Sequence, residues 1–115
     1  MARQANKLEE VAKELRKYGA CEWMQGDVRK NEHCIEFAKR TVEHFGRLDI
    51  LVNGAAGNFI AQAEKLSMNG FKAVMDIDAQ GSFQMCQAVF KTYMKENGGV
   101  IINLSASVYH NGSVL

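Results

Sequence analysis

Residues 48–59, LDILVNGAAGNF, constrain what this chain can fold into more than any other stretch. An apolar run from Leu48 to Val52 ends in Asn53, then gives way to Gly54-Ala55-Ala56-Gly57 and to Asn58-Phe59. A short β-rich run that breaks abruptly into small residues predicts a buried strand whose carboxyl end opens onto a cleft. With no large side chains in the way, the backbone there can lie directly against a ligand. Ligands of open α/β sheets bind outside the carboxyl ends of the strands, so this turn marks the place for a cofactor.

The rest of the chain repeats the pattern. Leu8, Val11, Ala12, Leu15 and Tyr18 fall on one helical face. Asn6 with Glu9 resembles a capping box and Gly19 sits where a helix ends, which predicts a helix over residues 6–18. Residues 20–26 read as a strand that ends in Asp27-Val28-Arg29. Asn31 caps a second helix with the stripe Ile35, Ala38, Val42 and Phe45, closed by Gly46. After a loop over residues 58–66, Ser67 caps the longest helix, which carries Phe71, Val74 and Met75 inward. A polar and small patch, residues 76–82, interrupts it before Met85, Val89 and Met94 resume the pattern up to Asn97-Gly98-Gly99. A last apolar run, residues 100–104, ends at Ser105-Ala106-Ser107. This alternation of helix and strand predicts an α/β fold with a parallel sheet and right-handed crossovers.

Composition narrows the function classes. A chain of 115 residues makes one domain at most, and a formal charge of +1 offers no special attraction to nucleic acid or a membrane surface. No run of about 18 apolar residues and no signal-peptide core is present. Cys21, Cys34 and Cys86 have no metal-ligand spacing and read as reduced thiols of an intracellular protein. His33, His44 and His110 likewise lack ligand spacing, and the first two are expected on solvated helix faces. No metal site is expected.

Three strand ends carry small or polar residues: Asp27, Asn53 with Ala55 to Gly57, and Ser105 to Ser107. In a parallel sheet all three lie on one rim. Asp27 reads either as a strand-end turn residue or as a carboxylate that accepts from an adenine amine. Asp78 stands mid-helix, where aspartate is a poor choice because it competes for backbone hydrogen bonds. Facing the rim, it must be paired, solvated or titrating.

Asp27-Val28, RLDILVNGAAG at residues 47–57 and GGVIINLSAS at residues 98–107 together resemble the short-chain dehydrogenase/reductase superfamily. Within it, AAGNF and LSMNGFKAVMDIDAQGSF are most similar to the 2,4-dienoyl-CoA reductases, and among these to the peroxisomal type. The resemblance implies a partial Rossmann-like, doubly wound parallel sheet of order 3-2-1-4-5-6-7, with this chain supplying family strands 3, 4 and 5 as a single domain truncated at both ends. It implies NADP(H) as cofactor, with Asp27 and Val28 about the adenine. Asn53, Ala55, Ala56 and Gly57 would line the ribose and the approach to the nicotinamide, and Arg3 would grip the 2′-phosphate. Arg29, Phe59, Ser67, Met68 and Asn69 fall where the family touches its acyl-CoA substrate.

The implied reaction delivers a hydride to the far end of a dienoyl thioester and protonates it near the thioester, giving a 3-enoyl-CoA of unsaturated fatty acid β-oxidation. Most of the superfamily has asparagine where this chain has Asp78, and a serine where spacing from Asn103 places Ala106. Both departures fit the peroxisomal reductases, in which the helix aspartate supplies the proton; Tyr109 is a second candidate donor. The resemblance also implies a peroxisomal location, although Ser113-Val114-Leu115 is no C-terminal address, and homo-oligomers of the full protein through the long helix. A 3-oxoacyl reductase, another alcohol dehydrogenase of the superfamily or a non-catalytic binding module are the competing readings. The family's glycine-rich phosphate loop and its later lysine are absent from these residues. The chain is therefore expected to be a fragment, marginally stable and inactive alone.

Overall fold

The computed structural model describes residues 1–58 and 61–105. Helix α1 spans Ala5–Leu15 and α2 spans Asn31–Phe45. Strand β1 is Ile50–Asn53 and β2 is Val100–Asn103. Between the strands, a short 3-10 turn at Ala63–Lys65 leads into a helix that runs without a break in helical backbone over residues 68–97. The fold is α/β, as the alternation predicts.

β1 and β2 pair in parallel, with Ile50 opposite Val100, Leu51 opposite Ile101, Val52 opposite Ile102 and Asn53 opposite Asn103. Parallel partners point to the same side, so the sheet has two different faces. On one, Leu51 and Asn53 are buried; on the other, Ile50 (62% exposed), Val52 (55%), Val100 (55%) and Ile102 (44%) are uncovered. The strand expected to be buried is thus buried on one face only.

The buried face meets α2 and the long helix. Cys34 and Ala38 of α2 and Met85, Ala88 and Val89 of the long helix are fully buried together with Leu48, Leu51 and Met94. Alanines at 38 and 88 let the two helices approach closely, while methionines fill what remains. Ile35 and Phe45, expected in the α2 stripe, lie at its margin and are 36% and 41% exposed; the inward line instead runs through Cys34 and Ala38. Gly46 ends α2 in the left-handed region, at φ 74°.

Residues 20–26 are not a strand of the sheet. Gln25 makes a single parallel bridge with Ala2, and the Gly26 N–H donates to the Ala2 carbonyl at 2.9 Å. A strand forms only where a neighbour pairs along its length, and here residues 1–3 supply that neighbour at one point. Side chains of α1 hold the segment instead: Trp23 Nε1 donates to Glu9 Oε2 at 2.8 Å, and Arg16 Nε donates to the Cys21 carbonyl at 2.9 Å.

α1 itself is shorter than its pattern suggests. Gln4 is the residue at its N-cap with no side-chain bond, so Asn6 lies inside the helix and forms no capping box. It closes at Arg16 with backbone bonds from Lys17 to Glu14 and from Tyr18 to Leu15, before Gly19 is reached. Only Ala12 of its apolar face is buried; Val11, Leu15 and Tyr18 are 54%, 48% and 84% exposed. α2 also starts without a side-chain cap, and Asn31 is its first helical residue.

The long helix begins as expected, with the Ser67 side chain accepting from the Gly70 N–H at 3.0 Å. It then changes register. Asp76–Gly81 and Phe90–Met94 are π-helical, separating α-helical segments at Met68–Met75, Ser82–Val89 and Lys95–Asn97. The first π segment coincides with the polar and small patch of the sequence, and π segments of this kind concentrate at functional sites. A methyl group at Gly81 would lie 2.6 Å from Val28 Cγ2, so the helix can touch the residue 27–28 turn only through a glycine.

Two substitutions check this packing by urea unfolding. Gly81→Val should overpack the Val28 contact and destabilise the fold by about 1–3 kcal/mol. Ser67→Ala should remove the helix cap at a cost of about 1 kcal/mol.

Candidate active site

At the carboxyl end of β1 the small residues do what their size permits. A cavity of about 610 Å³ opens there, between residues 1–3, the residue 26–28 turn and residues 50–56. Arg3, Asp27, Val28, Asn53, Ala55 and Ala56 all line it, with Ile77 and Met85 from the long helix. Six residues named from separate stretches of the sequence therefore share one space, of a size usual for small-molecule and cofactor sites.

Each wall is fixed by named contacts. Asn53 is 9% exposed, and its Nδ2 donates to Asn103 Oδ1 at 2.9 Å and lies 3.2 Å from Cys86 Sγ. This ties β1 to β2 and to the helix beneath. Gln84 Nε2 donates to the Val28 carbonyl at 3.1 Å, and Cys34 Sγ lies 3.5 Å from the same oxygen. The Asp27 N–H donates to Nδ1 of His33 at 3.0 Å. His33 is half-buried against the turn and does not stand on a solvated face; His44 is exposed, as expected, and lies 3.9 Å from Glu22.

The Asp27 carboxylate is held by Arg29, whose Nε sits 3.0 Å from both oxygens and whose backbone N–H also donates at 3.0 Å. These bonds hold the Asp27 carboxyl well below the usual range, at about 2, with smaller help from the charge of Arg3. The same pairing pushes the Arg29 guanidinium up, and the more distant Asp76 adds to it. Arg29, expected to face substrate, thus has its charge engaged by Asp27 while its side chain stays 40% exposed.

Gly57 follows the cavity-lining Ala56 but does not itself line the cavity, and neither does Asp78. The Gly57 N–H donates to Asp78 Oδ1 at 2.7 Å, and a methyl group at Gly57 would lie 2.8 Å from Ile77 Cδ1. The first π segment therefore presents two consecutive residues to the turn after β1, one for packing and one for charge. Asp78 is exposed and is paired with this backbone donor.

Ser67, Met68 and Asn69 stand at the start of the long helix, where Ser67 serves as the cap and Met68 is 77% exposed. None of the three lines the cavity. Phe59, Ala106, Ser107, Tyr109 and His110 lie outside the described residues. Among the described residues, no group of three or more His, Cys, Asp or Glu could hold a metal, and no helix is long and apolar enough to cross a membrane. The pattern of residue types missed His33, Gln84, Cys86 and Ile77, because each acts by supporting the turns and carries no motif of its own.

A parallel β-pair with small residues after β1, a cavity at that end and a helix carboxylate bonded to the turn give an α/β protein with a ligand-sized space at a strand end. The sequence model of the short chain dehydrogenase family matches residues 1–114, and the chain belongs to that family. It is 46% identical over 123 residues to the peroxisomal 2,4-dienoyl-CoA reductase [(3E)-enoyl-CoA-producing] of Arabidopsis thaliana, an alignment covering 98% of this chain and 41% of that protein. A short chain dehydrogenase from Bacillus anthracis superposes with a TM-score of 0.83 at 37% identity, over 98% of this chain and 48% of that one. An alcohol dehydrogenase from Thermococcus sibiricus, complexed with 5-hydroxy-NADP, superposes with a TM-score of 0.87 at 26% identity, over 97% of this chain and 48% of that one. The chain spans about two fifths of the length of the curated relatives it matches.

The Asp27–Arg29 pair gives a direct check. Its folded value lies below the unfolded one, so the pair stabilises the turn above about pH 4, and that contribution fades as pH falls towards 2. In Arg29→Ala the Asp27 carboxyl should titrate close to the ordinary value of about 3.9, measured by carboxyl-carbon NMR. A titration near 2 in both proteins would assign the shift to something other than Arg29.

Proposed function

We propose that the protein is an NADPH-dependent 2,4-dienoyl-CoA reductase, converting 2,4-dienoyl-CoA to 3-enoyl-CoA in peroxisomal oxidation of unsaturated fatty acids. The observation that carries this reading is the bond between Asp78 and Gly57. It joins the turn that would border a nicotinamide to a helix carboxylate, in a chain 46% identical to a protein of that named activity. A family member that reduces simple ketones has no need of a carboxylate there.

The residues present fit the cofactor. Gly26, Gly54, Ala55 and Ala56 line part of the cavity, so a ring can lie against backbone there. Asp27 stays ionised and can accept from an adenine amine, with Val28 packing against the ring. Ala55, Ala56 and Gly57 leave room along a ribose, and Asn53 is held rigid beneath them by Asn103. The exposed guanidinium of Arg3, at the cavity mouth, suits a 2′-phosphate. NADPH, when bound, would supply the hydride.

The chain's own task is then to manage a proton and a developing negative charge. Gly57 engages Oδ1 of Asp78, and Oδ2 is the oxygen that holds or passes a proton, directly or through water. Arg29, Phe59, Ser67, Met68 and Asn69 are assigned to the acyl-CoA side. The activity is proposed for the whole domain, and this chain matches about two fifths of the curated relatives' length. Phe71, Phe83 and Phe90, each at least half exposed along the long helix, support a homo-oligomer through that helix.

NADPH consumption by the full protein with hexadienoyl-CoA and with acetoacetyl-CoA tests the reading. Turnover with the dienoyl thioester and none with the ketone is expected, and the reverse preference would sink it. Asp78→Asn keeps an acceptor for Gly57 but no acid, so kcat should fall by about 10²–10⁴-fold with little change in nucleotide affinity.

A further inference from the structure

We propose that His33 is a positioning residue of the nucleotide site, holding the Asp27–Val28 turn only while its imidazole is neutral. The inference rests on the reading of Asp27 and Val28 as the adenine contacts.

The geometry is specific. Nδ1 of His33 accepts the Asp27 N–H at 3.0 Å, so Nδ1 carries no proton and the ring's hydrogen sits on Nε2. His33 lies in the first turn of α2, and its own N–H donates to the Lys30 carbonyl at 3.0 Å, which fixes the backbone that carries the ring. Protonation would turn Nδ1 into a donor facing a donor. The Asp27 amide, part-buried, would then lose its acceptor, and a buried donor left without one is the costly case.

Three side chains hold Asp27 and Val28 from outside the turn, and they respond differently to pH. Gln84, on the long helix, donates to the Val28 carbonyl and does not titrate. Cys34 meets the same carbonyl as a thiol, and burial pushes its pKa up, so it stays protonated. Of the three, only the His33 imidazole can exchange an accepting ring nitrogen for a donating one by taking up a proton. The charged groups around the turn are the Asp27 carboxylate with Arg29, Arg3 from the N-terminal segment, the Met1 amino group, whose pKa burial pushes down, Lys30 and Glu32 beside His33, and Asp76 of the long helix. The Asp27–Arg29 pair survives down to about pH 2. Protonation of the His33 ring would therefore leave the Asp27–Arg29 pair in place and release the backbone N–H that aims it.

The test uses the full protein labelled with ¹⁵N in histidine and aspartate, with and without NADP⁺, alongside His33→Asn and His33→Leu. An asparagine carboxamide can accept the Asp27 N–H without titrating, whereas leucine cannot accept it. Without nucleotide, the His33 ring should show the Nε2–H tautomer, and the Asp27 amide shift should follow the ring's titration in the wild type only. NADP⁺ affinity should fall by about three- to tenfold more in the wild type than in His33→Asn between about pH 7.5 and pH 5.5. The nucleotide's own phosphate titrates in this range, and the asparagine variant subtracts it. His33→Leu should bind weakly at both pH values.

An Asp27 amide indifferent to His33, with normal NADP⁺ binding, overturns the positioning role and leaves the cofactor reading standing. Identical pH dependence of affinity in wild type and His33→Asn also overturns it. A coupled amide with no NADP⁺ binding in any of the proteins defeats the cofactor reading, and the positioning role with it.

Discussion

A single hydrogen bond, from the Gly57 N–H to the Asp78 carboxylate at 2.7 Å, joins the two parts of this molecule that the proposed chemistry needs. One part is the sheet, whose β1 strand must end in small residues if anything is to lie across it. The other is the long helix, which must bring a charge to that end without filling the space above it. The π register of Asp76–Gly81 meets both demands. Ile77 packs on Gly57 and Asp78 bonds to it, while Gly81, a few residues on, lets Val28 close against the same helix. The turns after residue 26 and after β1 are thus docked on one π segment, and the cavity is the space between them.

The remainder of the fold is asymmetric in a way that follows from the sheet. Helices cover the Leu51–Asn53 face, and the core is built there from Cys34, Ala38, Met85, Ala88 and Val89. On the opposite face Ile50, Val52, Val100 and Ile102 remain open, although parallel sheets ordinarily bury both faces. The radius of gyration of 16.2 Å exceeds the roughly 13 Å of a compact domain of similar length. The relative from Arabidopsis is more than twice as long, as the 41% coverage states.

Much of this was legible in the sequence, because the relevant signals are local. The breaks at Gly46 and Gly98, the Ser67 cap, the apolar run before Asn53 and the oddity of Asp78 within a helix each follow from one residue and its neighbours. The strand at residues 20–26 was not, because strand formation depends on what lies alongside, and Ala2 alone pairs there. Burial depends on neighbours in the same way: Leu15 and Val52 have the pattern of core residues, yet about half of each stays exposed. His33 was assigned to solvent because a lone histidine on a helix carries no motif; its role depends on the turn six residues earlier folding back to it. The π segments follow from tertiary packing, and nothing in residues 76–81 distinguishes them from a poor α-helix.

On the proposed reading, Asp27, the turn after β1 and the π segment form one ledge for a dinucleotide. Amide hydrogen exchange mapped on the protein with and without NADPH tests it most directly. The account predicts slowed exchange at Asp27–Val28, at residues 54–57 and along Asp76–Gly81, with α1 unchanged. Protection confined to the Glu22–Trp23 side of α2, or to none of these three segments, would contradict it.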